Sequence, residues 1–383
     1  MRASGGGGRV VVGLVLAIVA FSCALIAVEA GLRIAGYRMP VLVADSLRGS
    51  YRIEPNATFI YYGYLPGAVD DFANPVRLNA LGFHDRDYPA ERPAPETYRI
   101  MVLGDSYVAA LEVPLEQTFH KRLEARLVRQ DPLGRGSYQV IAFGQGRTAQ
   151  ETEIGWARQY APVYRPDLVL YVFFCGNDFM ENDPETFAEA SSFGERYLRK
   201  VVPRKIALFR RLLVFPRLRV NGLFAEAASD YYLEHLDRFD ATITRADLDS
   251  PELGIYENPL SAKWAAAYER TGKLLDVARK EALQRQERFV LGSLSGPQAM
   301  SKAAERALWA EAKNPHLDYE RPDRWVRDWA ERHHVSHIEL GPPLAAVGRR
   351  KLFWKHDQHL NPEGHAVVAD LLYDYLVGVA KQP

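Results

Sequence analysis

The chain has 383 residues, 48% of them apolar, enough to bury a sizeable core, and its 48 basic and 48 acidic residues leave a formal charge of zero. A chain without net charge has no broad attraction to nucleic acid or to an anionic membrane surface, which sets nucleic-acid binding aside. Two cysteines, Cys23 and Cys175, make neither a disulfide framework nor a CxxC metal pattern, and both are expected to be buried thiols.

Taken in order, the chain begins with an uncharged stretch from Val10 to Val28. As a helix rising ~1.5 Å per residue, it nearly spans a hydrocarbon core of ~30 Å. The stretch exceeds the ~7 to 15 apolar residues of a cleaved signal, so an uncleaved anchor over residues 1–30 is expected. The segment Ala20-Phe21-Ser22-Cys23 lacks the aliphatic residue that precedes a lipidated cysteine by three. Arg2 and Arg9 precede the anchor while Arg33, Arg38, Arg48 and Arg52 follow it, so charge alone leaves its orientation open.

Residues 31–96 mix Pro, Gly and aromatic residues without long periodicity and are expected to form a lead-in of short strands and turns. Five short apolar runs follow: "YRIMVLGD", "YQVIAFG", "PDLVLYVFFCGND", "ERFVLGSLS" and "VSHIELG". Helix-length segments lie among them, such as "LEQTFHKRLEARLVRQ", "AQETEIGWARQYA", "SAKWAAAYERTGKLLDVARKEALQRQ" and "PDRWVRDWAERHH", with apolar residues recurring at three and four. Strands buried on both faces and alternating with helices predict a parallel sheet in a three-layer α/β domain over residues 97–383. Residues from about 180 to 260 break that rhythm and are expected to be an insertion able to cover the strand ends.

Active groups in an open parallel sheet gather beyond the carboxyl ends of its strands. Ser106 follows the first run, Gly146-Arg147-Thr148 the second, Gly176-Asn177-Asp178 the third, and Asp357-Gln358-His359 comes shortly after the last. A serine hydroxyl needs an imidazole to take its proton, and the imidazole needs a carboxylate to fix its tautomer. Ser106, His359 and Asp357 supply those three groups. The oxyanion needs donors already in place, which the backbone N–H groups of Ser106 and Gly146 and the amide of Asn177 could provide. Asp105 is expected to brace the Ser106 loop through backbone groups.

Each piece also has an ordinary reading. Gly-Asp-Ser and Gly-Asn-Asp are common turns, and Asp-x-His can be a capping carboxylate beside a surface histidine. Zinc on His356, Asp357, His359 and His365 is a further reading, disfavoured because His359 and His365 do not share a helical face. Trp264, Trp325, Trp329 and Trp354 are candidate sugar platforms, although tryptophans at such spacing more commonly build the core.

The blocks "GDSY", the Gly146 region, "GND" and "DQHLNPEGH" together resemble blocks I, II, III and V of the SGNH/GDSL hydrolase superfamily. The lead-in "VRLNALGFHDRDYP" and the apolar segment ending "VEAGLRIAG" resemble those of bacterial membrane-anchored members. The resemblance covers roughly residues 76 to 180 and 335 to 375. It implies a flavodoxin-like α/β/α sandwich, hydrolysis through an acyl-serine, and no metal or organic cofactor. It also implies Ser106 as nucleophile, His359 as base, Asp357 as its orienting carboxylate, and an oxyanion hole of Ser106, Gly146 and Asn177.

Two departures stand out. One residue, not two, separates Asp357 from His359, a spacing that resembles the branch containing the alginate O-acetylation proteins. In "IAFGQGRTAQ", Gly144 competes with Gly146, which is preferred because Gly-Arg-Thr matches the family's Gly-x-Thr. The expected activity is therefore a membrane-anchored serine esterase acting outside the cytoplasm on an acylated, foremost O-acetylated, carbohydrate or lipid-linked substrate. An O-acetyltransferase with the same triad is the alternative, and a non-catalytic assembly protein of the same fold a third reading. Nothing in the sequence sets the oligomeric state.

Overall fold

The computed structural model describes residues 6–34, 42–45, 50–61, 71–188, 251–296, 299–300, 317–355 and 357–382. Most of the expected insertion, residues 189–250, lies outside the described residues, as does His356.

Helix α1 (Gly6–Ile34) carries a stretch, Val12–Gly31, that is long and apolar enough to cross a membrane, and its large apolar residues from Val12 to Val28 are exposed, Leu25 alone being half-buried. Cys23 is exposed on that helix, so the expectation of two buried thiols holds only for Cys175. An apolar run reads as buried in sequence, but here no protein covers it.

Two antiparallel pairs follow, β1 (Leu42–Asp45) with β2 (Ser50–Ile53) and β3 (Thr58–Tyr61) with β4 (Asn74–Arg77). The central sheet is parallel, with strands β5 (Tyr98–Gly104), β6 (Tyr138–Gly144), β7 (Leu168–Phe174), β8 (Arg288–Leu294) and β9 (Ser336–Glu339) in the order β6-β5-β7-β8-β9. The five expected runs are these five strands. Strands β5 and β7 are buried at every position, which explains why they read as unbroken apolar runs instead of alternating ones.

Alternate side chains of each strand enter two cores. Met101, Leu103, Ile141 and Phe143 face α4 (Gln150–Tyr164) together with the later helices Ala262–Gln284 and Arg321–Arg332. Ile100, Val102, Val140 and Ala142 face α3 (Phe119–Gln130) and the C-terminal helix Pro362–Ala380. The chain thus leaves β5 towards one face and β7 towards the other. Where neighbouring strands part in this way, a crevice opens beyond their carboxyl ends. Ser106 and Asn177 stand there.

The lead-in is pinned into this sandwich by buried polar groups. Asp85 contacts Lys121 at 2.6 Å with both side chains fully buried, and it also accepts from Ala142 N–H at 2.8 Å. Burial raises the Asp85 carboxyl above its ordinary range, and the Lys121 ammonium opposes that rise. Asn74 of β4 donates through Nδ2 to the carbonyls of Leu111 and Val113, both at 2.8 Å. Ala57, Tyr61, Val76 and Leu78 close a small third core with Ala109 and Leu111.

Candidate active site

The site begins with two glycines. A Cβ on Gly104 would lie 2.4 Å from Val108 Cγ2, and one on Gly144 would lie 2.3 Å from the backbone N of Ala109. Their absence lets helix α2 (Ser106–Ala109) rest directly on the ends of β5 and β6. Asp105 is its N-cap, accepting from Tyr107 N–H through Oδ1 at 2.9 Å, as expected of it. Ala110 then takes a left-handed φ of 48° and ends the helix after one turn. Ser106 is consequently the first residue of a turn lodged at the carboxyl end of the sheet. His84 of the lead-in holds the other end, with Nδ1 at 3.0 Å from Ala109 O and 3.1 Å from Ala110 O.

On the opposite wall, Asn361 caps the C-terminal helix through Gly364 N–H at 2.9 Å, with Pro362 at its first position. A Cβ on Gly364 would lie 2.1 Å from Leu352 O, so only glycine lets the helix start pack there. Trp354 N–H donates to His359 O at 2.8 Å, and Phe353 bridges Leu360, which fixes the loop just before the helix. Gln358, between Asp357 and His359, takes a left-handed φ of 70°, and the turn made there brings the two side chains together. Tyr107 OH donates to Gln358 O at 3.3 Å, and Asp71 of the lead-in accepts from Asp357 N–H at 2.8 Å.

The two walls meet at His359. Its Nε2 lies 2.8 Å from Ser106 Oγ and its Nδ1 2.6 Å from Asp357 Oδ1. With Nδ1–H donating to Asp357, Nε2 is free to accept the serine proton. Burial pushes the imidazolium down, but Glu112, Asp357 and Asp105 together outweigh it and raise His359 to about 9. Burial in turn raises Asp105 to about 6, opposed by the Tyr107 N–H and by His359.

The remaining expected residues are placed as follows. Gly146 sits in the turn after β6, closed by Thr148 Oγ1 donating to Gln145 O at 2.6 Å, and the left-handed φ of 63° falls on Arg147. Gly144 is the last residue of β6 and is packed beneath α2, so it is a spacing glycine. Asn177 follows β7, its Nδ2 donating to Glu181 Oε1 at 3.3 Å while its buried Oδ1 has no partner among the described residues. Exchanging the amide O and N would put a donor where Oδ1 now lies. Asp178 is fully buried; Oδ2 accepts from Gln150 Nε2 at 2.8 Å and from Phe174 N–H at 3.0 Å, which ends β7. Trp264 and Trp329 are buried in the core, and Trp325 packs edge-on against Phe179 and Tyr268.

His365 faces inward, away from a metal reading. Phe119 N–H donates to its Nδ1 at 3.2 Å, and burial lowers it to about 3. Glu112, Asp357 and His359 do bring three ligand atoms within 4.8 Å of one another. Two ligands each ~2.0–2.1 Å from a tetrahedral zinc lie about 3.3 Å apart. The 2.6 Å separation of Nδ1 and Oδ1 is that of a hydrogen bond. Glu112 was not among the residues expected here.

A sequence model of the GDSL-like lipase/acylhydrolase family matches residues 102–367, a span that contains Ser106, Gly146, Asn177, Asp357 and His359. No protein of curated function matches the chain. Fifty-three solved chains do. They include a psychrotrophic esterase from Pseudoalteromonas sp. (11% identity, 74% of this chain and 99% of that one, TM-score 0.41). An acetyl xylan esterase (12%, 72% and 98%, TM-score 0.40) is another. A member of the lipolytic G-D-S-L family from Veillonella parvula (11%, 72% and 97%, TM-score 0.38) is a third. Likenesses this distant carry nothing about substrate, and the assignment rests on the family match together with the parallel sheet. The chain belongs to the GDSL-like lipase/acylhydrolase family and is a hydrolase acting on ester bonds.

Proposed function

We propose that the chain is a membrane-anchored serine esterase that removes acyl groups, O-acetyl foremost, from a carbohydrate or lipid-linked ester outside the cytoplasm. The observation that carries the chemistry is the continuous line from Ser106 Oγ through His359 to Asp357, at 2.8 and 2.6 Å. Ser106 Oγ attacks the ester carbon as its proton passes to His359 Nε2. The new Oγ–C bond forms and the carbonyl oxygen becomes an oxyanion, received by the N–H groups of Ser106 and Gly146 and by the Asn177 amide. Collapse expels the alcohol, which takes the proton from Nε2. Water, deprotonated by the same nitrogen, then releases the acid and restores Ser106. Asp357 keeps the Nδ1 proton in place throughout.

Support for the acetyl group and the carbohydrate comes from the last block's resemblance to the branch containing the alginate O-acetylation proteins, and support for the location from the lead-in's resemblance to membrane-anchored members. Support for the anchor comes from the apolar, unpacked face of α1. The one-residue spacing of Asp357 and His359 favours one second reading, transfer of the acyl group to a sugar hydroxyl in place of water.

A fluorophosphonate that esterifies activated serines tests the nucleophile. The full chain in detergent is expected to gain one adduct, on Ser106 by peptide mass spectrometry, and Ser106→Ala none. A labelled Ser106→Ala, or an adduct elsewhere, contradicts the assignment. Acetylated and free oligosaccharides supplied together separate the two readings: free acetate marks the esterase and a newly acetylated acceptor the transferase.

A further inference from the structure

The chain places a second carboxylate at the imidazole. Glu112 lies just beyond α2, between Leu111 and Val113, whose carbonyls are both held by Asn74. That clamp fixes the backbone on either side of it. Its side chain is 2% exposed, and Oε1 stands 3.6 Å from His359 Nδ1, the nitrogen that also faces Asp357. The other polar groups around the ring are Asp105 at the foot of α2, Tyr107 with its ring centroid 4.8 Å away, His365 behind, and Arg349, which donates to Gln358 Oε1. Of these, Glu112 and Asp357 alone are carboxylates within ion-pair reach of Nδ1 among the described residues.

A buried carboxylate is costly unless a cation faces it. Burial raises Glu112 to about 7, and proximity to His359 works against that rise while Asp357 adds to it. The arrangement therefore suits an imidazole that becomes positive during reaction. We propose that Glu112 is a positioning residue for the base: with Asp357 it forms a forked anionic cradle at Nδ1 that holds the imidazolium formed when Ser106 gives up its proton. The proposal rests on His359 being the base. It goes further in assigning the charge that tunes that base to two carboxylates, one on each wall of the crevice.

The test is the pH dependence of kcat/KM for p-nitrophenyl acetate with the full chain in detergent, comparing wild type, Glu112→Gln and Glu112→Asp, with Ser106→Ala and His359→Ala as controls. Hydrolysis needs neutral His359, so the acid limb reports its proton affinity. Removing a negative charge within ~4–6 Å is expected to move that limb down by about 1 unit in Glu112→Gln. Glu112→Asp keeps the charge and falls between the two. A purely structural Glu112 lowers the rate without moving the limb, and a limb in Glu112→Gln that coincides with wild type overturns the proposal. If the glutamine variant does not fold, Glu112→Ala, which removes the same charge, carries the test, and an unmoved limb there overturns it equally. Wild-type rates in Ser106→Ala or His359→Ala would instead sink the triad reading on which the proposal stands.

Discussion

At the scale of single residues, the account turns on the protonation of His359. A group raised to about 9 is cationic at neutral pH and cannot take the Ser106 proton. Loss of that proton activates the base, so wild-type kcat/KM is expected to climb with pH and level off only above about 9. A stopped assay from pH 6 to 10 checks this, and a plateau already reached at neutral pH contradicts it. Ser106, Asp357 and His359 were legible because each carries chemistry in a short block, and the structure brings the three side chains together. Glu112 was not. Its neighbour His359 is far along the chain, its clamp comes from Asn74, and an isolated glutamate among apolar residues has no local signature. The hydrogen bond from Asp357 N–H to Asp71, 286 residues away, was hidden for the same reason.

At the scale of elements, the crevice depends on how closely α2 approaches the sheet. The Cβ of Gly144→Ala would meet the backbone of Val108 and Ala109, which cannot rotate aside as a side chain can. Overpacking at such a contact costs about 2 kcal/mol, and relief would push Ser106 away from His359. Thermal melts and esterase assays on Gly144→Ala are expected to show both a lower Tm and a fall in kcat. Unchanged values would mean that α2 does not sit where the glycine places it. Strands β5 to β8 were readable because burial on both faces removes the polar alternation, whereas β9 is only half-buried throughout. The placement of the lead-in was not. His84, Asp85 and Asn74 resemble ordinary turn residues, and only the fold supplies their partners at Ala109, Lys121 and Leu111.

At the scale of the whole molecule, two physically different parts share one chain. The αβ sandwich buries its strands between two helical layers, whereas the apolar face of α1 meets no protein. A predominantly apolar span of 20 residues at ~1.5 Å each matches a ~30 Å hydrocarbon core. The full-length protein is expected to stay in the membrane pellet after alkaline carbonate extraction, and its recovery in the soluble fraction would contradict the anchor. Composition revealed the apolar stretch but misjudged Cys23, since apolar character does not say whether protein or lipid will cover a residue.

The central claim is that one serine, activated by one histidine, performs the ester hydrolysis. The direct measurement is p-nitrophenol release from p-nitrophenyl acetate by the full chain in detergent at pH 9, beside Ser106→Ala and His359→Ala. The account predicts a loss of about 10³-fold or more in each variant, and little further loss when the two are combined, because they act as a unit. Wild-type turnover in either single variant would contradict it.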